Sequence, residues 1–162
     1  MTTAKTMQAA VLDSHGAAFR VAPVPQPDPQ PGQVLVRIEA SAVNPLDIKI
    51  RAGQAAHARQ PLPAILGIDL AGVVEAVGSG VTNVRHGDEV YGMTGGVGGL
   101  QGSLAEYAVV DADLLAPKPA NLTMREAAAL PLIFITAWEG ARAPRRSQTF
   151  HAVDGRRSLS RG

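Results

Sequence analysis

Apolar residues recur along this 162-residue chain in short runs with a two-residue period, separated by turns rich in Gly and Pro. That pattern predicts strands, because side chains on a pleated backbone alternate between its two faces. The longest such run lies within Gly67 to Val81, where Leu70, Val73, Val74 and Val77 are interleaved with small Ala71, Gly72 and Ala76. It predicts a central strand bounded by glycine turns. Gly72 has no Cβ, so it predicts a bulge or bend at which one backbone approaches another closely, the means by which short sheets curl into barrels.

The remaining strands read as partners of this one. Met7 to Leu12 and Phe19 to Ala22 predict a hairpin through Ser14-His15-Gly16. Pro23 to Pro31 carries proline at every second position, which fixes φ and removes amide donors, and predicts an extended, unpaired connector. From Gln33 to Val43, Val34, Val36 and Ile38 alternate with Leu35, Arg37 and Glu39, predicting a strand that buries mainly one face. A short helix follows, with Asn44 as N-cap, Pro45 at the first position and Gly53 just past the end. On this pattern alone Asn44 is a cap, and Asp47 merely favours the positive end of the helix dipole. Val84 to Gly92 gives a polar turn and a strand, Leu104 to Val110 another strand, and Leu114 to Pro119 the closing piece. Thr123 and Glu126 then match a capping box opening an apolar helix, which Pro131 kinks or divides before Leu132 to Trp138. Residues 1–122 are too few to cover so apolar a helix, which reads as the start of something larger.

Composition narrows the chemistry. A hydrophobic content of 46% suffices for one core. No run approaches the roughly 18 apolar residues of a membrane span, and Met1 to Gln8 lacks the apolar centre of a signal peptide, so a cytoplasmic enzyme with no membrane partner is expected. Without cysteine there is no disulfide, and no zinc site can use thiolates. His15 and His86 sit in turns and His57 in a loop, where structural or solvated roles are expected. The glycines of Met93 to Ser103 do not form G-x-G-x-x-G, because the third would fall on Gln101 and a strand, not a helix, follows. They predict a mobile loop beside a cleft. Residues 1–140 carry 9 Lys and Arg against 13 Asp and Glu, whereas residues 141–162 carry 6 Arg and one Asp with no helical or strand period. The tail is expected to be disordered. A nucleic-acid arm would interleave aromatics, and Phe150 stands alone, so no nucleic-acid partner is expected.

Taken together, Val34-Leu35-Val36-Arg37, Ala42-Val43-Asn44-Pro45-Leu46-Asp47, Gly67-Ile68-Asp69-Leu70-Ala71-Gly72-Val73-Val74, Gly87-Asp88-Glu89-Val90, Gly102-Ser103-Leu104-Ala105-Glu106-Tyr107, Pro117-Lys118-Pro119 and Phe134-Ile135-Thr136-Ala137-Trp138 form an ordered series. Over residues 7–140 it resembles the N-terminal half of a medium-chain dehydrogenase/reductase, most similar to the zinc-independent NADPH:quinone oxidoreductase branch. The resemblance implies a mainly β fold, a GroES-like, partly open β-barrel with a few short helices. It implies a catalytic domain over 1–122, a connecting helix over 123–140 and a non-family tail over 141–162, with the nucleotide-binding Rossmann domain absent. In the zinc alcohol dehydrogenases of this fold a cysteine stands at Asn44, and a histidine and glutamate at Ile68 and Asp69. Asn44 and Ile68 cannot replace a thiolate and an imidazole at tetrahedral zinc, so no metal is expected.

The reaction implied is hydride transfer from NADPH to a quinone or similar electron-poor carbonyl or alkene, a small-molecule partner. By resemblance Asn44 and Asp47 line the acceptor site near the nicotinamide as polar positioners, and Asn44 and Thr136 contact the cofactor. The resemblance turns Asn44 toward a functional role and leaves Asp47 open between the two. Lacking a pyrophosphate-binding turn, the chain is expected to be inactive alone. The alternative is a non-enzymatic GroES-like binding module, and oligomeric state stays open.

Overall fold

The computed structural model describes residues 5–142, whose eight strands and three α-helices follow in order along the chain. They are β1 (Thr6–Leu12), β2 (Arg20–Pro25), β3 (Gln33–Ser41), α1 (Pro45–Arg51), β4 (Ala64–Ile65), β5 (Asp69–Val77), β6 (Glu89–Met93), β7 (Tyr107–Asp111), β8 (Leu115–Pro117), α2 (Met124–Ala128) and α3 (Pro131–Arg142). The expected basic tail lies, from residue 143 onward, outside the described residues. Among the described residues no helix is long and apolar enough to cross a membrane.

Two open sheets carry the fold, one ordered β2-β1-β4 and the other β7-β3-β5-β6-β8. Strand β5 is therefore central, as its pattern predicts. Its alternation serves two cores. Leu70 and Val74 join Val34, Val36, Val90, Val110 and Leu115 in the main cluster, while Ala71 meets Ala127 and Ala128 of α2. A methyl at Ala71 is what lets that helix lie close against the sheet. The two sheets do not close into a ring. They are stitched by an isolated bridge between Ala9 and Ala105, by Ala10 N–H donating to Leu104 O at 2.8 Å and by Glu106 N–H donating to Gln8 O at 3.0 Å.

The bulge expected at Gly72 falls on the partner strand. Ile38 pairs with Gly72 and Ala40 with Ala71, so Glu39 is the extra residue, and β3 bends toward the glycine. A Cβ on Gly72 would meet the carbonyl oxygen of Arg37.

Three expectations are corrected. The proline connector is not wholly unpaired, because β2 runs into it and pairs Pro23 with Gln8 and Pro25 with Thr6. An edge strand accepts proline because its outer donors need no partner. The glycine stretch after β6 is anchored along its length, with Thr94 N–H on Ile68 O at 2.7 Å, Gly98 N–H on Ala58 O at 2.8 Å and Gly102 N–H on Ile65 O at 2.9 Å. The connecting stretch is divided at Pro131, as expected, into α2 and α3, but its end is corrected. Pro131 opens α3 as its first residue, and α3 continues past Gly140 to Arg142.

Gly72→Ala is expected to lower stability by about 2 to 3 kcal/mol, because the added methyl must displace backbone rather than a side chain. Urea unfolding followed by circular dichroism checks this, and an unchanged midpoint would contradict it.

Candidate active site

Asn44 sits where β3 passes into α1, with the extended backbone of an N-cap. Asp47, at the third position of the helix, turns back: its Oδ2 accepts from Asn44 N–H at 2.8 Å, and its Oδ1 accepts from Gly67 N–H at 3.1 Å. Both oxygens are thus committed to backbone amides. Gly67 reaches that position with φ +103°, and a Cβ there would run into Ser103 Oγ and the amides of Ser103 and Leu104.

Asp69, the first residue of β5, lies beside this pair. Its Oδ2 accepts from Asn44 Nδ2 at 3.0 Å and its Oδ1 from Leu132 N–H, in the first turn of α3, at 3.1 Å. Its backbone carbonyl accepts from Ser103 Oγ at 2.8 Å, and that hydroxyl is also bonded to Ser41 Oγ. Asn44, Asp47, Asp69 and Ser103 are 4%, 5%, 0% and 1% exposed, so the whole cluster is withdrawn from water. The ion pairs among the described residues engage Asp13, Glu39, Asp88 and Glu89 instead.

Burial governs the titration of both carboxyls. For Asp47, desolvation pushes the carboxyl up and outweighs the hydrogen bonds from the amides of Asn44, Gly67 and Asp47 itself. For Asp69, desolvation again dominates, opposed by the bonds from Asn44 and Leu132 and reinforced by the nearby Asp47 charge.

The structure thus brings Asn44 and Asp47 together. Thr136 stands apart, exposed on α3 one turn beyond Leu132, and reaches the cluster only through that helix. Asp47 has the contacts of a structural pin. Residue-by-residue reading missed the roles of Asp69 and Ser103. An acid between Ile68 and Leu70, at the head of an apolar strand, was a usable signal for Asp69; nothing marked Ser103.

A tetrahedral zinc does not fit these residues. Ile68 is apolar and buried, the Asn44 amide is spent on Asp69, and both Asp69 oxygens already accept hydrogen bonds. Among the described residues no three His, Cys, Asp or Glu side chains are grouped to hold a metal. His15 instead faces Ile50 O, 3.0 Å from Nδ1, and His57 and His86 are exposed.

The raised carboxyl of Asp69 has a measurable consequence. The folded state binds the proton more tightly than the unfolded one, so its contribution to stability is full below the ordinary value of 3.8 and is lost as pH rises through the raised native value. Asp69→Asn keeps the shape and never ionises. Its melting temperature relative to the wild type is expected to climb as pH rises from the ordinary carboxyl range toward neutral and above. A constant difference across that range would contradict the assignment.

Comparison with known proteins agrees with this geometry. Residues 30–120 match the family model "Alcohol dehydrogenase GroES-like domain". A 2-methylene-furan-3-one reductase of Solanum lycopersicum is 49% identical over 118 residues, 70% of this chain and 30% of its own length. A chloroplastic NADPH-dependent alkenal/one oxidoreductase of Arabidopsis thaliana is 46% identical over 118 residues, covering 70% and 31%. A zinc-type alcohol dehydrogenase-like protein of Staphylococcus aureus is 38% identical over 124 residues, covering 76% and 35%. The chain therefore spans about a third of the length of these relatives. Among solved structures, an alcohol dehydrogenase superfamily protein from Novosphingobium aromaticivorans superposes with a TM-score of 0.82 at 64% identity, over 83% of this chain and 41% of that one. Two open sheets, a buried polar cluster at the β3–α1 junction and a family match over more than half its residues place this chain in the alcohol dehydrogenase GroES-like domain family of the medium-chain dehydrogenases/reductases.

Proposed function

We propose that this chain forms the acceptor side of a reductase that passes hydride from NADPH to a quinone or another electron-poor carbonyl or alkene, without zinc. The observation that carries the reading is the hydrogen bond from Asn44 Nδ2 to Asp69 Oδ2. At positions where, by resemblance, zinc enzymes of this fold have a cysteine and a glutamate, an amide and a carboxylate are bonded to each other. The named activities of the tomato and Arabidopsis relatives support an unsaturated carbonyl acceptor, and the second supports NADPH. The zinc-type Staphylococcus relative pulls the other way, whereas the donor chemistry at Asn44 and Ile68 supports the metal-free reading.

NADPH, when bound, supplies the hydride. What this chain contributes is position. Asn44 is held in one orientation by Asp69, and Asp47 ties its backbone to Gly67. Acceptors that are already electron-poor take hydride without a Lewis acid when held close and in line. Asn44 and the exposed Thr136 hydroxyl are the groups that would hold the nicotinamide end. Among the described residues no glycine turn leads from a strand into a helix, so the pyrophosphate finds no such grip there. Residues up to 122 act as the acceptor domain, α2 and α3 as the lead into a nucleotide-binding partner domain, and the chain alone is inactive.

A second reading, a binding module without turnover, is favoured by one fact: the polar atoms of the cluster are buried and largely paired with one another.

Titrating the purified chain with NADPH is expected to give no saturable fluorescence change in the micromolar range. Adding a separately produced dinucleotide-binding domain from a relative is expected to yield quinone-dependent NADPH oxidation that survives dialysis against EDTA. Oxidation lost to EDTA and restored by zinc would overturn the metal-free chemistry. Absence of oxidation despite a folded complex would favour the binding module.

A further inference from the structure

Asp69 takes part in more connections than any reading of the acceptor site requires. It is a carboxylate with no exposed surface and no ion-pair partner among the described residues. Burying such a group costs several kcal/mol unless its lone pairs are satisfied. Here the two oxygens are shared between two segments far apart in sequence. Oδ2 holds the side chain of Asn44, 25 residues away in sequence, and Oδ1 holds the backbone of Leu132, 63 residues away. Meanwhile its main chain is fixed by pairing with Met93 of β6 and by the hydroxyl of Ser103.

The Leu132 contact answers a specific need. The first amides of a helix have no partner within it, and they carry the positive end of its dipole. Helix α3 begins at Pro131, which has no N–H, so Leu132 offers its first free donor. A negative charge from another part of the fold takes that donor, as an N-cap side chain would, while the next amide, Ile133, has no hydrogen-bond partner among the described residues. Only a carboxylate can accept at both oxygens without presenting a donor of its own.

We propose that Asp69 is a positioning residue that locks the first turn of α3 to the Asn44 side chain, so that the helix bearing Thr136 and the polar cluster at the head of α1 move as one unit. Its bearing on hydride transfer rests on the reductase reading above, whereas the mechanical coupling does not. Asp69 touches no reacting atom in this role. It acts through Asn44 and through the helix.

Amide hydrogen exchange on the full chain, resolved by residue, tests it without any turnover. In the wild type, Leu132 is expected to exchange on the order of tenfold or more slowly than Ile133, the protection that one hydrogen bond to a charged acceptor gives. Asp69→Ala is expected to erase that difference and to shift the Asn44 side-chain amide resonances, with the amides of Leu70 and Val74 unchanged. Asp69→Asn, which still offers one acceptor to Leu132 while Asn44 flips to pair with its amide, is expected to restore protection to within about twofold of the wild type. Equal exchange at Leu132 and Ile133 in the wild type would overturn the proposal, and needs no variant to fold. So would acceleration of Leu132 only in step with Leu70 and Val74, which marks general loss of stability rather than a lost tether. With a complementing dinucleotide domain, Asp69→Ala is expected to raise the KM for NADPH at least as strongly as it lowers kcat; absence of turnover in the wild type would sink the reductase reading and leave the exchange result standing.

Discussion

Two carboxylates with no cation beside them among the described residues are the constraint around which this domain is arranged. Asp47 and Asp69 are buried among strands and helix ends, where ionisation is unfavourable and where every lone pair left empty adds to the cost. Their partners are, with the exception of the Asn44 amide, backbone N–H groups: Asn44, Gly67 and Leu132. Backbone donors cannot swing toward an acceptor as a lysine can. The chain itself must be brought to the carboxylate, and that requirement explains the glycines on this side of the molecule. A Cβ at Gly67 would meet Ser103, at Gly102 the Leu66 backbone, and at Gly96 the Gly67 backbone. Three segments lie main chain against main chain there, and one of them presents the Gly67 amide to Asp47.

The parts of the fold that were legible in the sequence are those settled within a few residues. The period of Leu70 to Val77 marked a central strand, Asn44, Pro45 and Gly53 bounded α1, and Thr123 with Glu126 opened α2, where Glu126 Oε2 accepts from Thr123 N–H at 2.8 Å. Pro131 divided the apolar helix as its missing donor requires. What escaped reading depends on residues far apart. The partners of Asp69 lie 25 and 63 positions away, and no local rule names them. The order of the glycine stretch after β6 comes from acceptors on Ala58, Ile65 and Ile68, so composition suggested mobility where tertiary bonds impose shape. Of the candidate site, capping geometry placed Asn44 and Asp47 at the head of one short helix and read them as structural, and only the family resemblance pointed to them as site residues; the contacts make Asp47 a fastening.

Helix α3 occupies a different physical situation from the rest. Ile133, Phe134 and Trp138 are 64%, 63% and 53% exposed, and Phe134 stacks on Trp138 at a centroid distance of 6.1 Å. Between its first turn and Tyr91, Leu114 and Leu115 lies a cavity of about 300 Å³ with mostly apolar walls. The helix is held to the domain by its N-terminal end, through Pro131 and the Leu132 amide, rather than along a buried face. Its placement relies on one polar contact to a degree that β5, packed on both faces, does not.

The hairpin edge formed by β2 shows a different economy. Gln26 N–H points inward to Lys5 O at 2.9 Å, so by alternation Pro25 and Pro23 direct their nitrogens outward, away from β1. The outer rim of that sheet consequently has no hydrogen to offer at two successive positions. A strand from another molecule arriving there would find its carbonyls unanswered, and growth of the sheet by stacking one chain on the next stops at this rim. The same prolines that stiffen the run into β3 thus guard the molecule against its own copies at high concentration.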